Sequence, residues 1–262
     1  MTPQFTETPR LPALFLAHGS PMNALADNEF TRALASVARS VPRPAAILVV
    51  SAHWLSHGTL VSDVPQPATI HDFGGFPDEL YDIQYPAPGA PELASRVIEL
   101  IPEAQADSSW GLDHGAWTVL RHMWPDADIP VAQLSIAMDA PASHHLEIGR
   151  ALSPLRDEGV LIIGSGNIVH SFAGISWSPN PAAHLWALEF DVWVADALAR
   201  GDSASLVEYH RAGPIAALSV PTTDHYLPLL YVAGTQREGD PVTFPHTGID
   251  MASMSMRCVR IG

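Results

Sequence analysis

Short apolar runs that end in turn residues alternate along the chain with helical stretches, and this alternation constrains the fold more than any other feature. The runs at 13–17, 46–51, 131–136 and 160–163 have no polar face, which predicts buried strands. Helices are predicted at 29–39, 91–101, 115–123, 143–155, 181–200 and 224–233. The alternation predicts an α/β fold, with a central mostly parallel or mixed sheet and helices on both faces.

The composition is that of a globular protein. Hydrophobic residues make up 47% of the chain and charged residues 16%, enough apolar material for a large core. No internal repeat or low-complexity linker divides the 262 residues. We therefore expect residues 1–262 to form a single catalytic domain, as α/β folds of this length commonly do.

The acidic balance of the chain excludes several classes of partner and chemistry. The formal net charge is −15, and all 13 basic residues are arginines because no lysine occurs. A nucleic acid or an anionic membrane binds a basic surface, so neither is an expected partner. Without lysine the chain also lacks the residue needed for Schiff-base chemistry and for a phosphate-binding P-loop.

Cysteine usage and the first residues favour a cytoplasmic location. The single cysteine, Cys258, cannot form an intramolecular disulfide, which fits a reducing compartment. Residues 1–12 lack the basic start and apolar run of a secretory signal, and no run is long enough to span a membrane. We expect a monomer or a small homo-oligomer.

Two segments are similar to known site motifs but lack a required residue. In the GSGN segment at 164–167, Val169 stands where a dinucleotide fingerprint has its third glycine. The glycines also flank Ser165 too closely for a nucleophile elbow. His53 and His57 have the spacing of a zincin helix without its glutamate base. The motifs therefore support neither a nicotinamide or flavin site, nor a serine hydrolase, nor a zincin.

Histidines follow three of the predicted strands. His18 comes directly after 13–17, His53 shortly after 46–51, and His170 a few residues after 160–163. Sites in α/β folds form beyond the carboxyl ends of strands. Neutral imidazole is a common ligand of zinc, iron and copper, so the pattern favours a metal site.

A proline-rich segment at 65–91 lacks periodicity and predicts a long loop over one face. It contains His71, Tyr81 and Tyr85, our candidate substrate-binding residues. The alternative is that these rings pin the loop to the core.

Six segments stand in the order of one enzyme family: HGSP at 18–21, SAHW at 51–54, YDIQYPAPG at 81–89, GLDHG at 111–115, GSGN at 164–167 and DHY at 224–226. On these segments the sequence resembles the class III extradiol ring-cleavage dioxygenases, and most closely the DOPA 4,5-dioxygenase-type branch. The resemblance runs from Leu14 to about Thr235. It implies cleavage of a catechol ring by O₂, with a DOPA-like or other small substituted catechol as substrate.

The resemblance implies roles for five histidines. His18, His53 and His225 are the implied ligands of one divalent metal ion. His170 is implied to act on substrate or oxygen as an acid/base group, with a fourth-ligand role as the alternative, and His114 is a second acid/base group. Iron(II) is expected for dioxygenase activity, whereas zinc(II) also suits an all-histidine set.

Several alternatives stay open at this stage. Asp224 competes with its neighbour His225 as third ligand, although adjacent side chains are expected to point in different directions. His114, preceded by Asp113, alternatively forms only the start of a capped helix. A zinc hydrolase that activates water with the same histidines is a second function, and a non-catalytic binding relative of the fold is a third.

Overall fold

The structure is a computed structural model that describes residues 10–262. Residues 1–9, part of the segment predicted to lack a signal sequence, lie outside the described residues. Within 10–262 there are ten strands: β1 (Ala13–Ala17), β2 (Ala46–Ser56), β3 (Leu60–Ser62), β4 (Gln105–Asp107), β5 (Val131–Ala137), β6 (Val160–Gly166), β7 (Val242–His246), β8 (Ile249–Asp250), β9 (Met254–Ser255) and β10 (Cys258–Ile261).

The same residues contain nine α-helices. They are α1 (Glu29–Ser40), α2 (Asp78–Tyr81), α3 (Pro91–Leu100), α4 (His114–Met123), α5 (Ala142–Leu152), α6 (Leu185–Ala199), α7 (Ser203–Val207), α8 (Pro214–Ser219) and α9 (Leu227–Gly234). Among the helices of residues 10–262, none combines the length and the apolarity that crossing a bilayer requires.

Eight of the described strands form one mixed sheet in the order β4-β3-β5-β2-β6-β1-β10-β7. The central strands β5, β2, β6 and β1 run parallel to one another, as the buried apolar runs predict. Antiparallel pairing appears towards both edges, where β3 meets β5 and where β10 meets β1 and β7. The predicted α/β fold with a mixed sheet is confirmed.

Helices cover both faces of this sheet because successive side chains of its central strands point alternately into two apolar cores. Phe15 and Leu48 belong to the core that contains α9, whereas their neighbours Leu14 and Ile47 belong to the core that contains α1 and α4. All four side chains are fully buried. Burying a large apolar side chain contributes about 1.5 to 3 kcal/mol, so the two cores hold the strand ends rigidly in place.

Several predicted boundaries are wrong by a few residues. Strand β2 continues to Ser56 instead of ending at 51, so His53 lies inside the strand, at an irregularity between Val50 and Leu55. Helix α9 begins only at Leu227, which leaves Asp224 and His225 in the preceding turn. The irregularity and the turn both interrupt regular pairing, and both present a histidine at the carboxyl edge of the sheet.

Candidate metal centre

Three histidines from distant parts of the sequence meet at the carboxyl edge of the central strands. His18 directly follows β1, His53 lies in β2, and His225 precedes α9. Each offers a ring nitrogen within 4.8 Å of the nitrogens offered by the other two. His18 and His225 are buried and His53 is half-buried. The structure therefore brings together the three histidines that the family resemblance implies as metal ligands, and their ligand role stays a prediction.

The turn after β1 brings His18 into this position. Gly19 has φ +60°, a left-handed conformation that favours glycine. A Cβ at that position would lie 2.8 Å from Met256 Sδ and 2.9 Å from Asn23 Nδ2, so a larger residue would displace the turn. Asn167 accepts a hydrogen bond from the Gly19 amide at 3.3 Å and thereby ties this turn to the end of β6.

A buried serine defines which nitrogen of His18 faces inward. Ser165 Oγ donates to the Gly115 carbonyl at 2.5 Å and lies 2.9 Å from His18 Nδ1. Because the hydroxyl proton is directed to the carbonyl, the hydroxyl oxygen accepts a proton from Nδ1. The lone pair of His18 is then on Nε2, which points to the other histidines.

Carboxylates lie beside the outer nitrogens of the other two histidines. His225 Nδ1 is hydrogen-bonded to Asp224 Oδ2, and His53 Nδ1 lies 3.3 Å from Asp72 Oδ2. A carboxylate accepts the imidazole proton and leaves the lone pair on Nε2, an arrangement typical of metal-ligating histidines. The two neighbouring side chains contact each other, so the expectation that they point in different directions is wrong at this turn, and the contact suits Asp224 as a partner that orients His225.

The inward-facing ring nitrogens lie close enough together to coordinate one cation. His18 Nε2 and His53 Nε2 lie 3.1 Å apart. With both outer nitrogens protonated, two lone pairs would face each other at this distance, and a divalent ion that accepts both would remove the repulsion. Three nitrogen ligands also leave coordination positions for other molecules. The donor set therefore fits a divalent metal ion.

A second group of potential ligands shares one residue with the first. His53, Asp72 and His114 also bring ligand atoms within 4.8 Å of one another. Asp72 Oδ2 lies 3.0 Å from His114 Nδ1, and Asp72 Oδ1 accepts from the His114 amide at 2.9 Å. Since Asp72 contacts the outer nitrogen of His53, its position is that of a residue that orients imidazoles rather than a ligand of the inner ion.

His170 and His114 each pack against a different one of the three histidines. The ring of His170 stacks on that of His225 with centroids 3.5 Å apart, and the ring of His114 lies 3.9 Å from that of His53. His114 is also the first residue of α4, whose N-cap Asp113 accepts from the Ala116 amide. The predicted cap is present together with the contact to His53, so His114 belongs both to the helix start and to the cluster.

Burial disfavours the charged form of three of these histidines. Desolvation, reinforced by the neighbouring imidazoles, lowers the pKa of His18 and of His53 well below the ordinary value. Burial likewise lowers the pKa of His170 to about 3, with His225 adding to the shift. Burial opposes ionisation of Asp72, but contacts with His114 and His53 outweigh it and lower the pKa of Asp72 to about 2. The imidazoles of His18, His53 and His170 are therefore neutral, beside the ionised carboxylate of Asp72.

A cavity of about 220 Å³ opens above the histidines. The five histidines of the cluster line its floor, and apolar side chains from four segments line the rest: Pro21, Phe73, Phe76, Phe172, Ile175, Trp177, Met251 and Met254. A polar floor under apolar walls suits a small aromatic ligand with adjacent polar groups.

Comparison with known proteins identifies the family. The profile described as the catalytic LigB subunit of aromatic ring-opening dioxygenase matches residues 9–256. The chain belongs to this family. The predicted class, an extradiol aromatic ring-opening dioxygenase, is confirmed at the level of the family, whose members use a metal.

Similar proteins support the same assignment. A protein of Escherichia coli K12 named 4,5-DOPA dioxygenase extradiol is 50% identical over 261 residues, covering 97% of this chain and 95% of that protein. A Beta vulgaris protein of the same name is 39% identical over 249 residues, covering 92% of each. A crystal structure of an uncharacterized E. coli K12 protein matches with a TM-score of 0.85 and 44% identity, over 97% of this chain and 100% of that one.

Three residues predicted to bind substrate do not line the cavity of this LigB-family chain. His71 Nε2 lies 3.0 Å from the Ile83 carbonyl, and the buried Tyr85 donates to the Trp124 carbonyl at 3.0 Å. The Tyr81 hydroxyl accepts from the Phe76 amide at 3.4 Å. These contacts hold the 65–91 loop together and against the core, so we assign the three residues to loop packing.

Sequence reasoning missed residues that matter to this centre. Asp72 lies in a segment without periodicity, and Ser165 belongs to the GSGN segment, for which the family resemblance implied no role for the serine. Metal-ligating histidines commonly donate their other ring N–H to an acceptor, so a search of the quoted motifs for Asp and Ser would have found Ser165 but not Asp72, which lies outside them. Met251 and Met254 line the cavity but lie beyond the last quoted motif, and no pattern in the sequence pointed to them.

Proposed function

We propose that this LigB-family chain, acting as one catalytic domain, cleaves the ring of a DOPA-like or other small substituted catechol with O₂. The reaction inserts both oxygen atoms and breaks the carbon–carbon bond beside the diol. The observation that supports it best is the set of three inward Nε2 lone pairs beneath an aromatic-walled cavity. The names of the E. coli and Beta vulgaris relatives support the substrate class.

His18, His53 and His225 would hold one divalent metal ion, which we propose to be iron(II). Bound iron(II) supplies the redox chemistry that dioxygen requires and that zinc(II) lacks. The outer contacts to Ser165, Asp72 and Asp224 keep each imidazole in the tautomer and orientation that coordination needs.

His170 and His114 would move the protons of the reaction. A catechol has two hydroxyl groups to deprotonate, and a positioned base contributes about 10² to 10⁴ in rate. His170 lines the cavity next to His225, and its neutral imidazole can accept a proton and later return it. His114 also lines the cavity, next to His53, and its Nδ1 lies 3.0 Å from Asp72 Oδ2, which would orient the ring.

The apolar walls would exclude water and hold the ring of the substrate. The Phe73 ring packs edge-on against His114 at 5.4 Å, and the Phe172 ring packs edge-on against His170 at 4.9 Å. The two proposed acid/base groups are therefore each covered by an aromatic ring. Such cover strengthens polar interactions within the site by lowering the local dielectric constant.

Anaerobic reconstitution tests the proposal. Metal-free protein is loaded with iron(II), mixed with 4-methylcatechol or DOPA under nitrogen, and then exposed to air. The expected result is a yellow ring-opened product and one O₂ consumed per catechol. Activity with zinc(II) and no O₂ uptake would replace the dioxygenase with a metal-dependent hydrolase.

Variants of the ligands test the assignment of the metal. His18→Ala, His53→Ala and His225→Ala should each lose bound iron, measured by elemental analysis after gel filtration. The matched control is His57→Ala, whose side chain is 88% exposed at the protein surface. Full iron occupancy in any of the three ligand variants would remove that residue from the set.

A further inference from the structure

A carboxylate and two imidazoles meet beside the floor of the histidine cavity. Asp72 Oδ2 lies 3.0 Å from His114 Nδ1 and 3.3 Å from His53 Nδ1. The ligand atoms offered by the three residues all fall within 4.8 Å of one another. Because Asp72 does not line the cavity and contacts the outer nitrogen of His53, this group is separate from the inward nitrogens that face the first ion.

Hydrogen bonding does not account for this group. The buried His114 Nδ1 has no partner with hydrogen-bond geometry within residues 10–262, although Asp72 Oδ2 is only 3.0 Å away. The other carboxylate oxygen, Oδ1, accepts from the His114 amide at 2.9 Å and thereby fixes the carboxylate. A buried polar atom without a partner costs about 1 to 3 kcal/mol, so a ligand that satisfies it would stabilise the protein.

The carboxylate of Asp72 is ionised and lacks a cationic partner. Its pKa is about 2, and its side chain is only 19% exposed. Within residues 10–262 its ion-pair contacts are to His53 and His114 and include no arginine, and lysine is absent from the whole chain. Burial, together with the charge of Asp72, raises the pKa of Asp113. A cation beside Asp72 would therefore compensate a negative charge that the surrounding side chains leave uncompensated.

The spacing and the chemistry of the group fit zinc(II). Zinc binds imidazole nitrogen and carboxylate oxygen at about 2.0 to 2.2 Å in tetrahedral geometry, which places neighbouring ligand atoms about 3.3 Å apart. The separations of 3.0 Å and 3.3 Å from Asp72 Oδ2 are close to that value. Magnesium and calcium prefer oxygen ligands, so two imidazoles disfavour them. The exposed part of the Asp72 side chain gives the ion a path from the solvent.

We propose that His53 Nδ1, Asp72 Oδ2 and His114 Nδ1 form an outer metal site, distinct from the first metal centre, at which zinc(II) binds and inhibits the enzyme. His53 bridges the two ions, with Nε2 on the inner ion and Nδ1 on the outer one. A ligating nitrogen must be unprotonated, so the Nδ1 proton of His53 passes to water as zinc binds. The binding of zinc is independent of the proposed function, whereas the inhibition rests on it.

Zinc at the outer site should prevent His114 from acting as a base. A divalent ion on Nδ1 adds positive charge to the ring, which disfavours uptake of a proton at the other ring nitrogen. The outer site does not occupy the cavity, so catechol should still bind. Saturation with zinc should therefore lower kcat by about 10² or more and change KM by no more than about twofold.

Metal analysis of iron-loaded protein tests the outer site without catechol or O₂. Protein that carries one iron per chain is incubated with zinc(II) under nitrogen, passed through a gel-filtration column and analysed for both metals. The expected result is one zinc and one iron per chain. Cobalt(II) in place of zinc should give the intense visible absorption of a tetrahedral ion, whereas magnesium(II) should not be retained.

Variants separate the outer site from the inner one. His114→Gln removes one ligand of the outer site and none of the inner site, so it should keep its iron and lose the zinc. Asp72→Asn should also lose the zinc, and it is measured with iron in excess because Asp72 contacts His53 as well. The matched control is His57→Ala, which breaks a surface pair of His57 with Asp139 at 3.8 Å and should still take up zinc.

Three results would overturn the outer site: no uptake of zinc, uptake of zinc with an equal loss of iron, and full uptake in both His114→Gln and Asp72→Asn. Uptake of zinc without a fall in kcat would refute the inhibition. Absence of ring cleavage by zinc-free, iron-loaded protein would refute the dioxygenase reaction and leave the outer site in place.

Discussion

The imidazole rings of His170 and His225 stack face to face, with centroids 3.5 Å apart and planes 4° apart. A nitrogen lone pair lies in the plane of its ring, so the lone pairs of two stacked rings run along parallel planes. If the lone pair of His225 Nε2 is directed at the metal ion, a lone pair of His170 is directed parallel to it and misses the ion. His170 also lies outside the described group of three histidines whose nitrogens fall within 4.8 Å of one another. The stacking therefore favours an acid/base role over a fourth-ligand role.

His170→Ala is accordingly expected to separate catalysis from metal binding. The variant should retain iron at the level of the unsubstituted chain and lose about 10² to 10⁴ in kcat, because the proton transfer is lost and the three ligands are not. Iron content and kcat with 4-methylcatechol are measured on the same sample. Loss of iron in parallel with activity would make His170 a ligand.

The contact between Asp224 and His225 leads to a second prediction. Asp224→Asn keeps the size of the side chain but replaces the carboxylate that accepts the proton of His225 Nδ1. Outer partners of this kind contribute about tenfold to a hundredfold in metal affinity, so iron should bind more weakly by that factor. Competition with a chelator measures the change. The matched control is Asp126→Asn at an exposed position, and equal affinity in the two variants would contradict the role of Asp224.

The convergence of His18, His53 and His225 could be predicted because chain order and strand ends already constrain it. The parallel strands β1 and β2 end at the same edge of the sheet, and the family resemblance implied His225 as the third member of the group. The exact setting of His53 could not be predicted. Strand β2 continues past an irregularity in its pairing with β5, and such irregularities depend on the neighbouring strand rather than on local sequence.

Strands β3, β4, β7 and β10 were not predicted, although they complete the sheet. They are three to five residues long, too short for a periodic pattern to stand out from a loop. Strand β10 forms through antiparallel pairing with β1, from which it is separated by most of the chain. The cavity residues Met251 and Met254 belong to the same part of the sequence, and tertiary contacts define them for the same reason.

Gly115 provides a test in which two physical effects have opposite signs. Alanine has a helix propensity about 1 kcal/mol better than glycine, so Gly115→Ala in α4 would stabilise the protein if propensity decided. However, a Cβ there would collide with Ser51 Oγ and lie 3.0 Å from His53 Cδ2. Ser51 cannot retreat freely because it donates to Asp113 at 2.6 Å.

We therefore expect Gly115→Ala to be destabilising overall, since overpacking costs about 1 to 3 kcal/mol, and to reduce iron occupancy by displacing His53. Urea unfolding and elemental analysis measure the two effects. Gly74→Ala is the control, because a Cβ at Gly74 would meet no atom within 4 Å. A Gly115→Ala variant as stable and as iron-rich as the control would show that α4 can move away from β2.

The pH dependence of stability provides a prediction outside the metal centre. His145 is fully buried, with Nδ1 2.9 Å from the Tyr231 hydroxyl. Burial, with a contribution from His144, lowers the pKa of His145 from 6.5 to about 4. Above pH 6.5 the residue is neutral in both the folded and the unfolded chain, and its contribution to stability is constant.

Below pH 6.5 His145 becomes protonated in the unfolded chain, whereas in the folded chain it stays neutral until the pH approaches about 4. The free energy of unfolding should therefore fall in this window as pH decreases, with this one group contributing a slope of up to about 1.4 kcal/mol per pH unit. In His145→Gln that contribution disappears, and the curve of stability against pH should become shallower between these limits. Urea unfolding of the metal-free proteins from pH 8 to pH 4 measures both curves. At pH 8 the difference in free energy of unfolding between the two proteins measures the packing lost in His145→Gln. The change of this difference with pH measures the effect of protonating His145, so a difference that stays constant across the range would contradict the prediction.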